Sequence, residues 1–359
     1  MMSNHLKFIN LAHDVASKNL GKTFPNPTVG CVISKNNIII SKAVTSTTGR
    51  PHAEEIALKK AGKKAKGAIM YVTLEPCFHS SQNGSCADQI LRSGIKKIYI
   101  SCIDQDPRTK KKSISKLKKN KIKVITGIEK DKTISVNNFY FKSLKKKKPF
   151  TKVKMAISND NKIAWSNYKS KWISNSKSRA YVHSLREKTQ AILTTSKTIL
   201  KDNPRFTVRK KNKIIKNLNV IIIDKNLNIP LNINLLKNLH ERRVIIFTSK
   251  KNNKSQKLKQ LGCEIIEMKI VNNKFDLKKI FSHIYQLKIS DLMVEAGGIL
   301  FADLIKNNLV DEILLFKAPY IIGEKGVPVI EGNSLNNIKK KLLEIIKFDD
   351  NLYLKYAIK

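Results

Sequence analysis

The sequence has no apolar run that approaches the roughly 18 residues of a membrane-spanning helix. Its first twenty residues also lack the unbroken apolar core of a secretory signal peptide, and their apolar side chains instead recur at helical spacing. There are only five cysteines, an odd number, which argues against a disulfide framework. We therefore expect a protein of the cytoplasm that keeps its thiols reduced and does not contact a membrane.

Acidic residues are scarce, since 27 Asp and Glu face 70 Lys and Arg, for a formal net charge of +43. Such an excess raises the possibility of nucleic-acid binding, because Lys and Arg neutralise phosphates. The basic residues, however, are spread along the whole chain, and most are lysines accompanied by Asn and Ile. This pattern indicates a compositional bias rather than a binding face. We expect no nucleic-acid partner, and we expect the charge to speed encounter with phosphorylated small molecules.

The chain of 359 residues is too long for one ordinary hydrophobic core, and its pattern divides near residue 148. Residues 1–147 alternate strand-like and helical segments, which predicts a compact α/β domain. The segment 138–149 then combines a run of lysines with Pro149, as domain junctions do. Residues 148–359 start again with a strand, alternate again, and end in a predicted hairpin around Asp349-Asp350-Asn351.

The individual elements follow from apolar periodicity and from helix start and stop signals. Helices are predicted over 53–61, 86–93, 112–120, 176–188, 276–287 and 299–307. Strands are predicted over 29–33, 68–74, 97–101, 123–126, 150–158, 191–193, 219–224, 243–248, 263–268 and 291–296.

Two cysteines, Cys77 and Cys86, flank a polar loop, and alone they could be a disulfide, two metal ligands or neither. Upstream, Pro51 suits the first position of a helix, which would place His52 and Glu54 at its N-terminal mouth. A second helix is predicted to begin at Cys86, where a helix N-terminus favours the thiolate. One imidazole and two thiolates would leave the fourth position of Zn²⁺ open to water, as a hydrolytic site requires.

Glu54 lies two residues from the predicted ligand His52 and is free to move protons between water and a leaving amine. His52-Ala53-Glu54 and Pro76-Cys77 match the H-x-E and P-C-x-x-C signature of zinc deaminases, except that eight residues instead of two separate the cysteines. A helical histidine and two cysteines are also common in hydrophobic cores. A binding protein with a structural zinc is a further alternative, although such sites usually have four protein ligands.

Six motifs, in this order, resemble the bifunctional deaminase/reductase family of riboflavin biosynthesis: PNPTVGCVI, GRPHAE, VTLEPC, KSKWISNSKSR, AILTTSKTILKDNPRFTVR and VEAGG. The resemblance covers nearly the whole chain. It implies a cytidine-deaminase-like α/β/α domain in residues 1–147 and a dihydrofolate-reductase-like α/β domain in residues 148–359. The first would hydrolyse the ring amine from a diaminopyrimidine that carries a phosphoribosylamino group, and the second would reduce the ribosyl group to ribityl with NADPH. We also expect a homo-oligomer.

The same resemblance implies roles for particular residues. In the first domain, His52, Cys77 and Cys86 would hold zinc, Glu54 would shuttle protons, and Asn26, His79 and Asp104 would contact the pyrimidine. In the second, the substrate would be held by Ser170, Arg186, Phe206, Arg209 and Glu295, and NADPH by Ala156, Trp172, Thr198, Asp202, Gly297 and Gly298. Alternatives from the residues themselves are a turn role for Asn26, an exposed loop position for His79 and a core position for Trp172.

Two features of the second half suit these roles on chemical grounds. The chain has no Gly-x-Gly-x-x-Gly after a strand, which argues against a Rossmann domain, but Gly297 and Gly298 join a strand to a helix whose first N–H groups could cradle a phosphate. Arg186 and Arg209 each offer a bidentate fork, and two such forks suit a phosphomonoester.

Departures from the family pattern cluster in the first half. Gln82 stands where a basic residue usually helps to hold the substrate phosphate, and Thr45 stands where some members have histidine. Lys111 and Ser113 replace glycines, which permit positive φ. In the second half Asn161 replaces a glycine in a turn, an exchange that left-handed backbone tolerates.

Two rival functions follow from these observations. The departures suggest an active reductase joined to an impaired deaminase. An RNA base deaminase would explain the zinc motif and the charge, but it leaves the second half without a role.

Overall fold

The computed structural model describes residues 2–79, 84–166, 173–211, 213–331 and 338–358. The chain forms two compact units, Met1–Lys147 and Lys148–Lys359. Each unit has its own sheet and its own hydrophobic clusters.

The first unit alternates helices and strands. Its helices are α1 (Met2–Ser17), α2 (Ala53–Ala61), α3 (Cys86–Ser93), α4 (Lys112–Lys119), α5 (Lys130–Val136) and α6 (Asn138–Lys146). Its strands are β1 (Gly30–Lys35), β2 (Ile38–Val44), β3 (Ile69–Leu74), β4 (Lys97–Cys102) and β5 (Lys123–Thr126).

These strands form a five-stranded sheet in the order β2-β1-β3-β4-β5. β1 pairs antiparallel with β2 and with β3, whereas β3, β4 and β5 run parallel. Successive side chains of a strand point to opposite faces, so Met70 packs in the larger cluster with α2, α3 and α4, while Tyr71 packs with α1 on the other face. The unit therefore has three layers, with the sheet between two layers of helices.

One expectation for the first unit was wrong in detail. Pro51 does not open α2, because the helix begins at Ala53 and His52 is its N-cap residue. The lysine-rich segment before Pro149 is helical as far as Lys146, the end of α6, and the boundary between the two units follows between Lys147 and Lys148.

The second unit is built on strands β6 (Phe150–Ile157), β7 (Lys162–Ala164), β8 (Ala191–Thr195), β9 (Thr207–Lys210), β10 (Lys213–Asn217), β11 (Asn219–Ile223), β12 (Val244–Thr248), β13 (Glu264–Glu267), β14 (Asp291–Val294), β15 (Glu312–Lys317), β16 (Val327–Pro328), β17 (Lys340–Phe348) and β18 (Asn351–Ile358). Its helices are α7 (Ser176–Glu187), α8 (Ser196–Asp202), α9 (Asn253–Gln260), α10 (Leu277–Gln286) and α11 (Gly298–Lys306).

Nine of these strands form one sheet in the order β13-β12-β11-β8-β14-β6-β15-β18-β17. The strands from β13 to β15 are parallel, and the hairpin β17–β18 is added antiparallel at one edge. Ligands of open parallel sheets bind beyond the carboxyl ends of the strands. The ends of β8 and β14, in the middle of this sheet, are therefore where a site is expected.

Apolar residues cover both faces of the large sheet. Leu193 and Ile221 belong to the cluster on one face, and their neighbours Ile192 and Val220 belong to the cluster on the other. The left-handed turn expected at Asn161 is present, with φ 61°. Across the part of the chain that the structure describes, no helix combines the length and the apolar character needed to cross a membrane.

Candidate functional site

His52, Cys77 and Cys86 come together in the first unit. Their ligand atoms lie within 4.8 Å of one another, and no other group of three or more His, Cys, Asp or Glu side chains among the described residues is arranged in this way. His52 caps α2, Cys77 follows β3, and Cys86 is the first residue of α3. His52 Nδ1 lies 3.3 Å from Cys86 Sγ, and the Cys86 N–H donates to Cys77 Sγ at 3.3 Å.

This donor set fits Zn²⁺. Hydrogen bonding from the Cys86 thiol, together with His52 and the Cys86 N–H, lowers the pKa of Cys77 well below its usual range. A thiolate is the form that binds a metal, and two sulfurs with one imidazole nitrogen are typical zinc ligands. Ser85 and Asp88 form a capping box at the start of α3, which fixes the helix end that carries Cys86.

Glu54 lies in the first turn of α2, with only 3% of its surface exposed. It is not one of the three clustered ligands. Burial raises the pKa of its carboxyl group to about 7. A carboxyl group with such a pKa can accept and return a proton near neutral pH.

The three predicted pyrimidine contacts are each held by a local partner. Asn26 Nδ2 donates to the Gly49 carbonyl at 2.9 Å, which leaves its Oδ1 as the acceptor for a ligand. His79 Nδ1 lies 3.5 Å from Thr109 Oγ1. Asp104 is buried and accepts a hydrogen bond from the Tyr140 hydroxyl at 2.9 Å, and burial raises the pKa of Asp104 to about 6.

Glu75, which the sequence analysis missed, anchors the loop between β4 and α4. Its carboxylate is 3% exposed and accepts hydrogen bonds from the Asp104 N–H at 3.2 Å, the Lys111 N–H at 3.0 Å and the Ser113 hydroxyl at 2.8 Å. An acidic residue directly after a buried strand and directly before Pro76-Cys77 was the available signal. Glu75 therefore ties the predicted contact Asp104 to the segment that carries Cys77.

The departures from the family pattern are accommodated where the structure describes them. Lys111 adopts the left-handed conformation expected for a glycine position, with φ 58°. Ser113 is buried and bonded to Glu75. Thr45 is 1% exposed, and its hydroxyl accepts the Val29 N–H at 3.1 Å, so it fastens the end of the β1–β2 pair. Gln82 lies outside the described residues.

A cavity of about 970 Å³ occupies the carboxyl edge of the large sheet in the second unit. The predicted substrate and cofactor residues that the structure describes all line it: Ala156, Arg186, Thr198, Asp202, Phe206, Arg209, Glu295, Gly297 and Gly298. Ser170 and Trp172 lie outside the described residues, so their predicted roles are not addressed by the structure.

Glu295 and Arg186 form a buried ion pair in this cavity. Arg186 donates from Nε at 2.7 Å and from Nη2 at 2.9 Å to the two carboxylate oxygens of Glu295. Lys154 Nζ lies 3.6 Å from Glu295 Oε2. Burial alone would raise the pKa of Glu295, but Arg186 and Lys154 outweigh it and lower the pKa to about 2. The guanidinium group of Arg186 was predicted to bind the substrate phosphate. In the structure it binds Glu295, because α7 and the end of β14 bring the two side chains together.

Gly297 and Gly298 differ in what surrounds them. A Cβ on Gly298 would meet the carbonyl oxygens of Val329 and Pro328 at 2.8 and 2.9 Å, whereas a Cβ on Gly297 would meet nothing within 4 Å. Gly298 is therefore needed for the close approach of Pro328, at the end of β16, and of Val329 after it. Gly297 is the N-cap residue of α11 and has no side chain to accept hydrogen bonds from the first turn. The first N–H groups of the helix are therefore available to an anion.

The sequence analysis missed several cations that line the cavity, because in a lysine-rich chain a single lysine is a weak signal of a functional site: Lys154, Lys197, Lys201 and Lys274. His183 was also missed. Its Nδ1 accepts the backbone N–H of Arg209 at 3.2 Å, so in the neutral ring the proton is on Nε2. Burial and the neighbouring Arg186 and Arg209 lower the pKa of His183, which keeps the ring neutral.

Comparisons with known proteins match both halves of the chain. Residues 2–102 match the model of the cytidine and deoxycytidylate deaminase zinc-binding region, and residues 149–354 match that of the RibD C-terminal domain. The riboflavin biosynthesis protein RibD of Aquifex aeolicus is 37% identical over 344 residues, which are 93% of this chain and 94% of the relative.

Solved structures are similar along the whole length. Acinetobacter baumannii RibD has a TM-score of 0.91 at 29% identity, with all of both chains covered. A diaminohydroxyphosphoribosylaminopyrimidine deaminase/5-amino-6-(5-phosphoribosylamino)uracil reductase of Thermotoga maritima has a TM-score of 0.86 at 28% identity, with 99% of both chains covered. These matches confirm the fold class predicted for the two halves.

Proposed function

Because the chain belongs to the RibD family of riboflavin biosynthesis proteins, which joins a zinc-binding deaminase domain to an NADPH-using reductase domain, we propose that residues 1–147 carry out the deamination and residues 148–359 the reduction. The observation that carries this assignment is the presence, in one chain, of a His-Cys-Cys cluster beside the buried Glu54 and of a large cavity lined by the predicted reductase residues. The substrate is the diaminopyrimidine phosphoribosylamine named for the Thermotoga maritima relative.

In the first unit, His52, Cys77 and Cys86 would hold Zn²⁺, which supplies a water molecule of lowered pKa to the reaction. Glu54, buried in the first turn of α2, would move a proton between water and the leaving amine. Asn26 Oδ1, His79 and Asp104 orient the pyrimidine ring. Glu75 keeps Asp104 in position through the Asp104 N–H.

In the second unit, the residues that would hold NADPH are Gly297 and Gly298, at its phosphates, and Ala156, Thr198 and Asp202. Trp172 is proposed as a further contact. The cofactor supplies the hydride. Glu295, held ionised by Arg186 and Lys154, and Phe206 would contact the substrate in this cavity. Ser170 is proposed as a further substrate contact. Arg209 is exposed at the cavity and is the arginine that binds the substrate phosphate.

The partners proposed are one phosphorylated pyrimidine substrate, no nucleic acid, and a second copy of the chain. The edge strand β17 supports the homo-oligomer, because it exposes Leu342, Leu343 and Ile345 by 43, 47 and 57% at the end of the large sheet. All five cysteines are free thiols, which supports a reducing compartment, the cytoplasm.

The deaminase half is proposed to be active rather than impaired. Lys111, Ser113 and Thr45 all have satisfied structural roles, so these departures do not disturb the metal cluster. An RNA base deaminase is not favoured, because it would leave the cavity of the second unit unused.

Incubation of the pure protein with the diaminopyrimidine substrate tests the proposal. Ammonia should be released without NADPH, and NADPH should be consumed only after deamination has begun. Metal analysis should find one zinc per chain, and His52→Ala and Cys86→Ser should lose it. Consumption of NADPH from chemically deaminated substrate without any ammonia release from the first substrate would favour the impaired deaminase instead.

A further inference from the structure

A second pocket, of about 550 Å³, lies in the first unit, and its lining residue Phe78 directly follows Cys77 of the His52-Cys77-Cys86 cluster. Its walls include one aromatic ring and five lysines, and we call it the lysine pocket: Phe78, Lys110, Lys111, Lys112, Lys116 and Lys119. None of its lining residues is acidic. We propose that the lysine pocket binds the phosphate group of the deaminase substrate, an inference that rests on the proposed deaminase function.

The position of the pocket is set by its neighbours along the chain. Phe78 stands between the predicted zinc ligand Cys77 and the predicted pyrimidine contact His79. Thr109, whose hydroxyl lies 3.5 Å from His79 Nδ1, directly precedes Lys110. The lysines therefore begin one residue beyond Thr109, the contact of the predicted pyrimidine-binding residue His79. This proximity supports a phosphate attached to the bound ring as the occupant of the pocket.

The charges of the pocket are only partly compensated. Lys116 is paired with Asp88 and lies with Nζ 5.6 Å from the centre of the Phe78 ring. Within the described ranges, no ion pair is recorded for Lys110, Lys111, Lys112 or Lys119. Like charges gathered in one concave site repel each other and attract an anion, and a phosphate monoester carries up to two negative charges.

The backbone also supports a built site. Lys111 keeps φ at 58°, a conformation that glycine adopts without cost and that lysine rarely adopts. The buried carboxylate of Glu75 holds it there by accepting the Lys111 N–H. The side chain of Lys111 lines the pocket, so the strained backbone at this residue places a positive charge in the pocket wall.

The lysine pocket connects two departures from the family pattern, the uncharged Gln82 and the lysine at position 111. The family often carries its phosphate-binding cation in the loop before the second cysteine, where this chain has the uncharged Gln82. The family glycine at position 111 is here the middle one of three lysines. We infer that the positive charge has moved from that loop to the start of α4.

The test removes three positive charges from the lysine pocket and keeps the left-handed backbone conformation at position 111. Lys111→Gly suits the left-handed turn, and Lys110→Gln and Lys112→Gln complete a triple variant of the full-length, zinc-loaded protein. The matched control is Lys60→Gln/Lys63→Gln/Lys64→Gln, which removes the same charge from exposed positions at the end of α2. The triple variant should lose at least about tenfold in kcat/KM for ammonia release from the phosphorylated substrate, mainly through KM.

Three readouts in the same samples separate a binding role from a structural one. Zinc content and reduction of deaminated substrate by NADPH should not change, and ammonia release from a dephosphorylated analogue should stay within about twofold of wild type. Inorganic phosphate should inhibit ammonia release by wild type and not by the triple variant. Equal losses on both substrates, a loss also in the control variant, or an unchanged kcat/KM would each overturn the proposal.

A binding measurement keeps the inference separate from the proposed function. Calorimetric titration with ribose 5-phosphate should reveal one binding event fewer in the triple variant than in wild type, since both proteins have the same second unit. If wild type releases no ammonia but this difference is present, the proposed deaminase activity fails and the lysine pocket stands. If the two titrations are the same, the lysine pocket is not a phosphate site.

Discussion

At the scale of single residues, Glu54 combines deep burial with a position beside the His52-Cys77-Cys86 cluster. Glu54→Gln keeps the size and one hydrogen-bonding oxygen but removes proton transfer. The variant should retain its zinc and lose ammonia release by about 10²- to 10⁴-fold, because this is the usual contribution of a general acid–base group. Metal analysis and an ammonia assay check the prediction, and reduction by the second unit provides an internal control. Normal deamination by this variant would assign the proton transfer to another residue.

The two arginines of the cavity should behave differently. Arg209 is exposed and available to a phosphate, whereas Arg186 neutralises the buried Glu295. Arg209→Ala should weaken binding of the phosphorylated reductase substrate by about 2 kcal/mol, the scale of a hydrogen bond to a charged group. Steady-state reduction of phosphorylated and dephosphorylated substrates measures this, with Arg205→Ala as a matched control outside the cavity lining. Equal losses on both substrates, or a loss confined to NADPH binding, would contradict the assignment.

The ion pair of Glu295 makes the second unit sensitive to acid. Its pKa is about 2 in the folded protein and 4.5 in its absence, so the unfolded state binds the proton more tightly. The pair therefore contributes up to roughly 3 kcal/mol of stability above pH 5, which is lost as the pH falls from 5 towards 2. Both tryptophans of the chain, Trp165 and Trp172, belong to this unit, so their fluorescence reports its unfolding in the full-length protein. Glu295→Gln should flatten the loss of stability in this pH range, and an unchanged slope would show that another group titrates there.

At the scale of elements, the Gly297-Gly298 turn separates a packing role from a binding role. Gly298→Ala should lower the free energy of unfolding by roughly 1–3 kcal/mol, because its Cβ would overlap the carbonyl oxygens of Val329 and Pro328. Gly297→Ala meets open space and keeps its N–H, so stability should change little. Urea unfolding followed by tryptophan fluorescence, with a parallel NADPH titration, compares the two variants. Equal destabilisation by both would mean that the close approach at Gly298 is not the cause.

Apolar periodicity was sufficient for many elements and insufficient for others. The helices over 53–61 and 86–93 have the predicted bounds, because Ala- and Leu-rich stripes and the terminal glycines mark them clearly. Strand β15 was missed, since a short continuous apolar run does not distinguish a buried strand from a buried helix. The short strands β7, β9 and β16 pair outside the large sheet and carry almost no periodic signal.

The candidate sites show the same division. The clustering of His52, Cys77 and Cys86 was predictable because motif spacing and helix starts identify these residues. The pairing of Arg186 with Glu295 was not, because these residues are 109 positions apart and only the sheet order brings them together. Glu75 was missed for a similar reason, since its partners Lys111 and Ser113 lie at the start of α4, after a loop whose path the sequence does not reveal.

At the scale of the whole molecule, each unit has a complete sheet, separate hydrophobic clusters and its own site. Removal of zinc by a chelator should therefore stop ammonia release and leave the reduction of deaminated substrate within about twofold of its starting rate. Ammonia and NADPH assays on one sample, before and after zinc is restored, measure both activities. A reductase activity that falls and recovers together with the metal would contradict the independence of the two sites.

The hydrogen bonds of Glu75 to the loop between β4 and α4 affect which substitutions this loop can accept. Two of its three hydrogen bonds come from backbone N–H groups, which any residue except proline supplies, so the path of the loop does not depend on a particular side chain at position 111. Lys, Asn and Ile, which dominate this composition, are specified by codons rich in adenine and thymine. A gene moving towards such codons can replace glycine here and preserve the geometry of the loop between β4 and α4.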